Sequence, residues 1–360
     1  MTKVTVVGSG KYGSMTALRV AEYDIVDEVV MTDIVEGLPQ GLALDMNQSR
    51  YVEKFSSKII GTNVYEDTAD SDVVVITAGL PRKPGMSRMD LLEVNANIVT
   101  EVTSSIMKYS KNPIIIVVTN PLDQMTTLVS DVSGLPKNRV IGQAGVLDSS
   151  RFSYFISEKL NVDMKDVEAW TLGSHGETMV PAPSQCKVNG KPLTELLSYD
   201  EIDELVRRTS EGGAEIVALL KTGSAYFAPS SAAATMVKSI ILDSNEILPA
   251  CSWVTGEYDI SDVYLGVPTK LGKGGVTEII ELNLSDASST PEKFRLSQNY
   301  PNPFNPVTTL QYDLAEDGLV NITVYDMLGN VVNNLVNTYQ LSGYKSIQWD
   351  ATDNQGQPLS

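Results

Sequence analysis

Val4-Thr5-Val6-Val7-Gly8-Ser9-Gly10-Lys11-Tyr12-Gly13 decides how the first part of this chain folds. A short run of β-branched residues reads as a buried strand, and a G-x-G-x-x-G turn follows it at once and opens a helical pattern. In such a turn the glycines permit the tight reversal, the close approach of a pyrophosphate and the close packing of helix on strand. The helix start adds exposed N–H groups and partial positive charge for phosphates. Asp33 ends the next strand-like run, Glu28–Thr32, and lies 20 residues beyond Gly13. A carboxylate there accepts hydrogen bonds from ribose hydroxyls and repels a 2′-phosphate, which selects NAD over NADP.

The pattern continues outward. Val73–Thr77 and Pro113–Thr119 are further buried runs, and Leu91–Tyr109 carries apolar residues at helical spacing. Strand alternating with helix predicts an α/β fold of the Rossmann type, a doubly wound parallel sheet. Near residue 150 the pattern changes to an α+β unit. It has strands at Trp170–Gly173 and Met179–Val188, a turn at Asn189-Gly190, helices over Asp200–Lys221 and Ser231–Asp243, and a meander of Ala250–Gly256, Tyr264–Leu271 and Val276–Leu284. After a Ser/Thr/Pro linker comes a small all-β module, Ig-like and incomplete, with strands at Thr308–Leu314, Val320–Tyr325 and Tyr344–Trp349. These divisions predict units over 1–146 and 147–285, a linker at 286–293, and a β module over 294–360.

Composition excludes several function classes. With 27 Lys and Arg against 45 Asp and Glu, the 360-residue chain carries a formal charge of −18. Such a surface repels phosphate backbones and anionic lipid, so neither nucleic acid nor a membrane is expected as partner. An anionic substrate would need a local cluster of arginines. Cys186 and Cys251 are far apart and, with one histidine, build no zinc site, so no metal is expected. The chain starts directly into a strand, and its longest apolar run, Ile114–Val118, cannot span a bilayer. The expectation is a cytoplasmic location.

The chemistry-bearing residues stand out against that background. His175, the single histidine, lies in Gly173-Ser174-His175-Gly176-Glu177 at a strand end, a way to present an imidazole in a cleft. Asp148 and Arg151 share one helix face, the spacing of an ordinary ion pair as well as of a site. Pro81-Arg82-Lys83-Pro84-Gly85-Met86-Ser87-Arg88 is basic in an acidic chain and reads as a loop carrying two arginines, or as a solvated turn. Val118-Thr119-Asn120-Pro121 closes a parallel strand, where α/β folds place ligand groups.

Residues 1 to about 285 resemble the lactate/malate dehydrogenase superfamily, and most the bacterial lactate-dehydrogenase-like malate dehydrogenases. The resemblance is carried by Val7–Gly10, Asp33–Gly37, Ala78-Gly79-Leu80-Pro81-Arg82-Lys83-Pro84-Gly85-Met86, Thr119–Asp123, Gly145–Ser149, His175–Pro181 and Lys221–Tyr226. It implies His175 as proton acceptor and donor, with Asp148 fixing its tautomer. Arg151 and Arg82 would pair the substrate carboxylates, and Arg88 would polarise the carbonyl. Asn120 and Ser224 would contact substrate. Gly8, Ser9, Gly10, Lys11, Tyr12, Gly13, Asp33, Asn95, Val118, Thr119 and Asn120 would hold NAD. A second guanidinium at Arg82 pairs a second carboxylate, so the resemblance implies malate and oxaloacetate rather than lactate and pyruvate. Lactate or another 2-hydroxy acid is the alternative. It also implies a homodimer or homotetramer.

The resemblance stops near Leu284, where relatives continue into a long final helix. Instead, Leu296-Ser297-Gln298-Asn299-Tyr300-Pro301-Asn302-Pro303-Phe304-Asn305-Pro306 and Val324-Tyr325-Asp326-Met327-Leu328-Gly329 resemble the sorting domain of type IX secretion substrates. The chain thus reads as a fusion. Either the enzyme works without the helix, or it is impaired and the β tail serves secretion or attachment.

Overall fold

The computed structural model describes residues 1–81, 88–176, 178–284, 293–299, 302, 306–326 and 328–357. The chain divides into two compact units, Met1–Leu282 and Asn283–Ser360.

The first unit begins with β1 (Lys3–Val7), α1 (Lys11–Glu22), β2 (Glu28–Thr32), α2 (Leu38–Glu53), β3 (Lys58–Thr62) and β4 (Val73–Ile76). It continues through α3 (Arg88–Tyr109), β5 (Ile114–Val117), α4 (Leu122–Ser133), β6 (Val140–Gly142) and α5 (Gly145–Leu160). The six strands pair in parallel in the order β3-β2-β1-β4-β5-β6. Central strands β4 and β5, Val-Val-Val-Ile and Ile-Ile-Ile-Val, are buried at every residue. That is why they read as unbroken apolar runs: helices cover both faces of the sheet. The strand order reverses between β1 and β4, and the ligand crevice of such a sheet opens at that point beyond the carboxyl ends of the strands.

Next come β7 (Val167–Glu168), β8 (Thr171–Gly173), β9 (Met179–Pro181), β10 (Lys187–Val188), β11 (Lys191–Pro192), α6 (Tyr199–Leu220) and α7 (Phe227–Ile241). The expected strand over Met179–Val188 is broken by a single turn at Pro183–Gln185. Pro181 and Pro183 have no N–H to give a ladder, so pairing lapses between them. Asn189 and Gly190 both take positive φ, 52° and 76°, as a two-residue hairpin turn requires. Helix α7 starts at Phe227, earlier than expected, because Pro229 is tolerated in the first turn of a helix.

The meander is β12 (Glu246–Thr255), β13 (Ser261–Gly272) and β14 (Gly275–Ile279). It does not stand apart: Cys251 of β12 pairs with Gly142 of β6, and one nine-stranded mixed sheet results. Gly142 permits the approach, since a Cβ there would lie 2.8 Å from the Cys251 Cβ.

The second unit contains β15 (Arg295–Leu296), β16 (Thr308–Leu314), β17 (Gly318–Tyr325), β18 (Val331–Gln340) and β19 (Gly343–Trp349). Strands β15-β16-β19 form one antiparallel sheet and β17-β18 another, around Tyr312, Leu314 and Val336. Strand β18 was not expected. Its three asparagines, Asn333, Asn334 and Asn337, hide the alternation, because Asn is depleted from strands. All three have partners here: Asn333 donates to the Thr352 carbonyl at 2.7 Å, the Asn334 N–H donates to Asn354 Oδ1 at 2.9 Å, and Asn337 Oδ1 accepts from Asn321 Nδ2 at 3.4 Å.

Candidate active site

The glycine turn joins β1 to α1 at the reversal of strand order. Gly8 has φ 97°, and a Cβ on it would lie 2.8 Å from Thr77 Oγ1. A Cβ on Gly13 would lie 1.8 Å from the Gly8 carbonyl oxygen, so only glycine lets the helix start sit on the turn. Asp33 Oδ2 accepts the Ser9 N–H at 2.6 Å and Oδ1 accepts the Val35 N–H at 2.9 Å, which places the carboxylate beside the turn. The Ser9 hydroxyl is buried without a hydrogen-bond partner. A glycine cradle with a carboxylate at its lip fits the pyrophosphate and ribose of a dinucleotide.

Two of the three variable residues of the motif, Lys11 and Tyr12, turn their side chains elsewhere. The Lys11 ammonium lies 5.6 Å from the ring centroid of Tyr226. The Tyr12 hydroxyl lies 2.7 Å from the Pro229 carbonyl and 3.0 Å from Gln143 Oε1, and burial raises its pKa. Tyr12 therefore has only its backbone to offer a phosphate, and its side chain ties α1 to α7.

Beyond β4 and β5 the strand ends are joined by side chains. The Thr119 hydroxyl donates to the Ala78 carbonyl at 2.7 Å. Asn95, reaching from α3, bonds the backbone of Leu80 and Asn120. Both of its amide hydrogens are thus engaged with the protein backbone. Val118 continues the ladder by donating its N–H to the Ile76 carbonyl at 3.0 Å. Asn120 is exposed at the crevice edge.

The second cluster is built from three elements. Helix α5 supplies Asp148, 1% exposed, and Arg151 from its first two turns. The turn between β8 and β9 supplies His175, held between Gly173 (φ 75°) and Gly176 (φ 114°). A Cβ on Gly266 of β13 would lie 2.2 Å from the Gly173 carbonyl oxygen, so the turn rests directly on the large sheet. Asp148 Oδ2 lies 2.8 Å from His175 Nδ1, and its Oδ1 lies 3.3 Å from Arg151 Nη1. A carboxylate only accepts, so Nδ1 carries the hydrogen and Nε2 is left as the basic nitrogen.

Burial lowers the Arg151 pKa, while the Asp148 charge opposes that shift. The Arg151 Nε is buried without a partner. A buried guanidinium held by one carboxylate contact is an arrangement that an anionic ligand completes. The third element, α6, contributes by omission. A Cβ on Gly212 would lie 3.3 Å from Arg151 Cδ, and one on Gly213 would lie 3.7 to 4.0 Å from three guanidinium atoms. This glycine pair makes room for Arg151, and sequence reasoning passed over it. Two glycines in mid-helix, each destabilising by roughly 0.5–1 kcal/mol, were the available signal.

Of the remaining expected residues, only Ser224 has a described side chain, and it is not drawn into either cluster. Ser224 is exposed on the connection between α6 and α7. Arg88 is the first residue of α3, and its side chain lies outside the described residues, as does all of Arg82. Among the described residues, no group of three His, Cys, Asp or Glu could hold a metal ion.

A dinucleotide cradle, a carboxylate-oriented imidazole and a buried arginine within one compact unit define an NAD-dependent oxidoreductase acting on an alcohol that carries a carboxylate. Comparison with known proteins sharpens that class. Residues 2–142 match the lactate/malate dehydrogenase NAD binding domain and residues 145–298 the lactate/malate dehydrogenase alpha/beta C-terminal domain. Malate dehydrogenase of Pelodictyon phaeoclathratiforme is 55% identical over 283 residues, 79% of this chain and 91% of that one. The solved malate dehydrogenase of Salinibacter ruber is 48% identical, with TM-score 0.75 over 78% of this chain and 90% of its own. A Cryptosporidium parvum lactate dehydrogenase, solved with lactic acid and nicotinamide adenine dinucleotide, is 44% identical, with TM-score 0.76 over 78% of this chain and 90% of that one. The chain belongs to the lactate/malate dehydrogenase family.

Residues 298–353 match the secretion system C-terminal sorting domain. This overturns the cytoplasmic location expected from the first residues of the chain. A sorting module is an address read by export machinery, and it marks a secreted or cell-surface protein. The expectation failed because it weighed the start of the chain, whereas this address lies at the other end.

Proposed function

We propose that this chain is an NAD-dependent malate dehydrogenase, interconverting (S)-malate and oxaloacetate. The observation that carries the reading is the carboxylate of Asp148 shared between His175 and Arg151. The dinucleotide, when bound, supplies the hydride acceptor or donor. Gly8, Ser9, Gly10, Gly13 and the backbones of Lys11 and Tyr12 hold its phosphates, Asp33 its ribose, and Val118, Thr119 and Asn120 its reactive end. As malate is oxidised, His175 Nε2 takes the hydroxyl proton, and it returns that proton in reduction. Asp148 keeps the imidazole in the productive tautomer and stabilises the imidazolium. Arg151 binds one substrate carboxylate as a two-pronged donor, and Arg82 the other. Arg88 stabilises charge developing on the carbonyl oxygen. Asn120 and Ser224 complete the substrate contacts.

Fold does not separate malate from lactate, since a lactate dehydrogenase superposes as well as a malate dehydrogenase does. Arg82 supports the dicarboxylate, because a monocarboxylate would leave this second guanidinium without a carboxylate to pair. We assign residues 1–146 to the cofactor, 147–285 to the substrate, 286–293 to a linker and 294–360 to sorting. We further assign a homo-oligomer, a dimer or tetramer. Helix α2 supports it by exposing Leu44, Tyr51 and Val52 at 63%, 83% and 71%. Loss of NADH absorbance with oxaloacetate and pyruvate in parallel tests the chemistry. Turnover of oxaloacetate alone is the expected result, and turnover of pyruvate at a comparable rate would sink the role of Arg82. Light scattering of the purified chain tests the assembly, and a monomer would refute it.

A further inference from the structure

The side chain of Tyr12 leaves the glycine turn and reaches the approaches to two other elements. Its hydroxyl lies 2.7 Å from the carbonyl of Pro229, in the first turn of α7, and 3.0 Å from the end of the Gln143 side chain, just before α5 begins. Both elements bear on the substrate. Helix α5 carries Asp148 and Arg151, and the connection into α7 carries Ser224.

A phenol has one hydrogen to give, and a carbonyl can only accept it. The hydrogen therefore goes to Pro229, and the hydroxyl oxygen is left to accept from Gln143. Gln143 is 3% exposed, and its Nε2 is otherwise buried without a partner. Turned over about its last bond, the amide brings that nitrogen to the hydroxyl, and the chain Gln143–Tyr12–Pro229 runs donor to acceptor at each step. The tie is doubled on the α7 side. Ser230 Oγ lies 3.0 Å from the Tyr12 carbonyl oxygen, and the Lys11 ammonium lies 5.6 Å from the centroid of the Tyr226 ring. The connection itself, Lys221 to Ser224, is exposed, so its place is set by what holds its two ends.

We infer that Tyr12 is a positioning residue for the substrate side of the site: its backbone serves the cofactor, while its hydroxyl fixes the start of α7 and the approach to α5 against the glycine turn. The inference rests on the reading of Arg151 and Ser224 as contacts to a dicarboxylate. Removing the hydroxyl leaves the backbone of the turn in place and cuts the tie to both elements. A small dicarboxylate held by a few side chains from separate elements depends on their spacing, far more than a dinucleotide held along a backbone turn does.

The test is Tyr12→Phe in the full chain, against wild type. NADH is titrated by its fluorescence, and hydroxymalonate, a dicarboxylate with no ketone to reduce, is then titrated into the protein–NADH complex. Trypsin reports on the connection through the rate of cleavage after Lys221 in the NADH complex, read from fragment masses. Tyr12→Phe is expected to hold NADH within about threefold of wild type and to bind hydroxymalonate about fivefold or more weakly, the scale of one or two lost buried hydrogen bonds. Cleavage after Lys221 is expected to run about threefold or more faster, because a loosened segment opens more often. An unchanged cleavage rate would overturn the inference whatever the affinities show. Loss of NADH affinity as large as the loss of hydroxymalonate affinity would make the hydroxyl part of the cofactor site and overturn it too. Ser239→Ala, which removes a buried hydroxyl bonded to the Leu271 carbonyl at the far end of α7, is the control. An equal loss of hydroxymalonate binding there would show that any loosening of α7 suffices, and the role of Tyr12 would fall. Ser230→Ala, which cuts the tie from the α7 side, serves if Tyr12→Phe does not fold, and the same pattern is expected at smaller size. Wild-type protein that binds NADH but no hydroxymalonate would refute the dicarboxylate reading alone, and the cleavage rates would still decide whether Tyr12 holds the connection.

Discussion

The glycine turn and the His175 cluster solve the same problem, holding a ligand at a fixed place, by opposite means. The turn is made of backbone. Ten consecutive residues, Val4 to Gly13, contain it, and its specificity lies in side chains that are missing. The cluster is made of side chains from α5 and the β8–β9 turn, with α6 leaving room beside them, and Asp148 and His175 lie 27 residues apart. A backbone-built site is compact in sequence and tolerant of what surrounds it. A side-chain-built site is dispersed and depends on how separate elements pack. The difference predicts that damage to one should leave the other's ligand bound.

The hardest test of that separation is His175→Gln. Removing the general base should lower kcat by about 10²–10⁴-fold, while NADH still binds as in wild type. A parallel loss of NADH affinity would mean that the two sites are not separable. Gly213 gives the next largest effect. Valine there drives γ-carbons into the space of the Arg151 guanidinium, and KM for oxaloacetate should rise about 10-fold or more. Alanine at the same position meets the guanidinium at ordinary contact distance and should leave KM unchanged. Equal effects of the two variants would show that helix flexibility matters and not the room for Arg151. On the other side of the comparison, Asp33→Ser removes the charge that repels a 2′-phosphate. Preference for NADH over NADPH should fall roughly tenfold, the scale of one screened charge contact of about 1.4 kcal/mol, with the KM for oxaloacetate unmoved.

The same contrast explains what could be read from the sequence. The cradle, Asp33 and the parallel strands were legible because each follows from local spacing. His175, Asp148 and Arg151 were legible as chemically apt residues, but no spacing tells that Asp148 bridges the other two, since that follows from the packing of β8 on β13 at Gly173 and Gly266. Tyr12 was read as a cofactor residue from its place in the glycine motif, and Asn95 from the family resemblance. Position fixed where the Tyr12 backbone lies, and tertiary partners hold its hydroxyl. Strand β18 was invisible because asparagines that pair with loop groups look like loop residues. The exported location was misjudged because the first residues of the chain were weighed above the sorting-domain resemblance already legible near Leu296–Pro306.

The smallest effect concerns a group that belongs to the cluster's supporting core and to neither ligand. Cys186 is fully buried and packs with Phe152, Phe155 and Leu193 behind α5. Burial pushes its thiol up to about 12. In the unfolded chain a thiol ionises near 8.5, so between roughly pH 9 and 12 the unfolded state has released a proton that the folded state keeps. The unfolded state then binds fewer protons, and stability must fall as pH rises, by up to about 1.4 kcal/mol per pH unit from this one group. The stability it confers is complete below pH 8 and is lost on approach to the folded value. Cys186→Ala removes the titration, so its denaturation midpoint should fall less steeply than that of wild type between pH 9 and 11, even if it starts lower for the lost packing. Identical slopes would mean that water reaches the thiol, and that the core behind the imidazole cluster is less closed than the glycine turn it is set against.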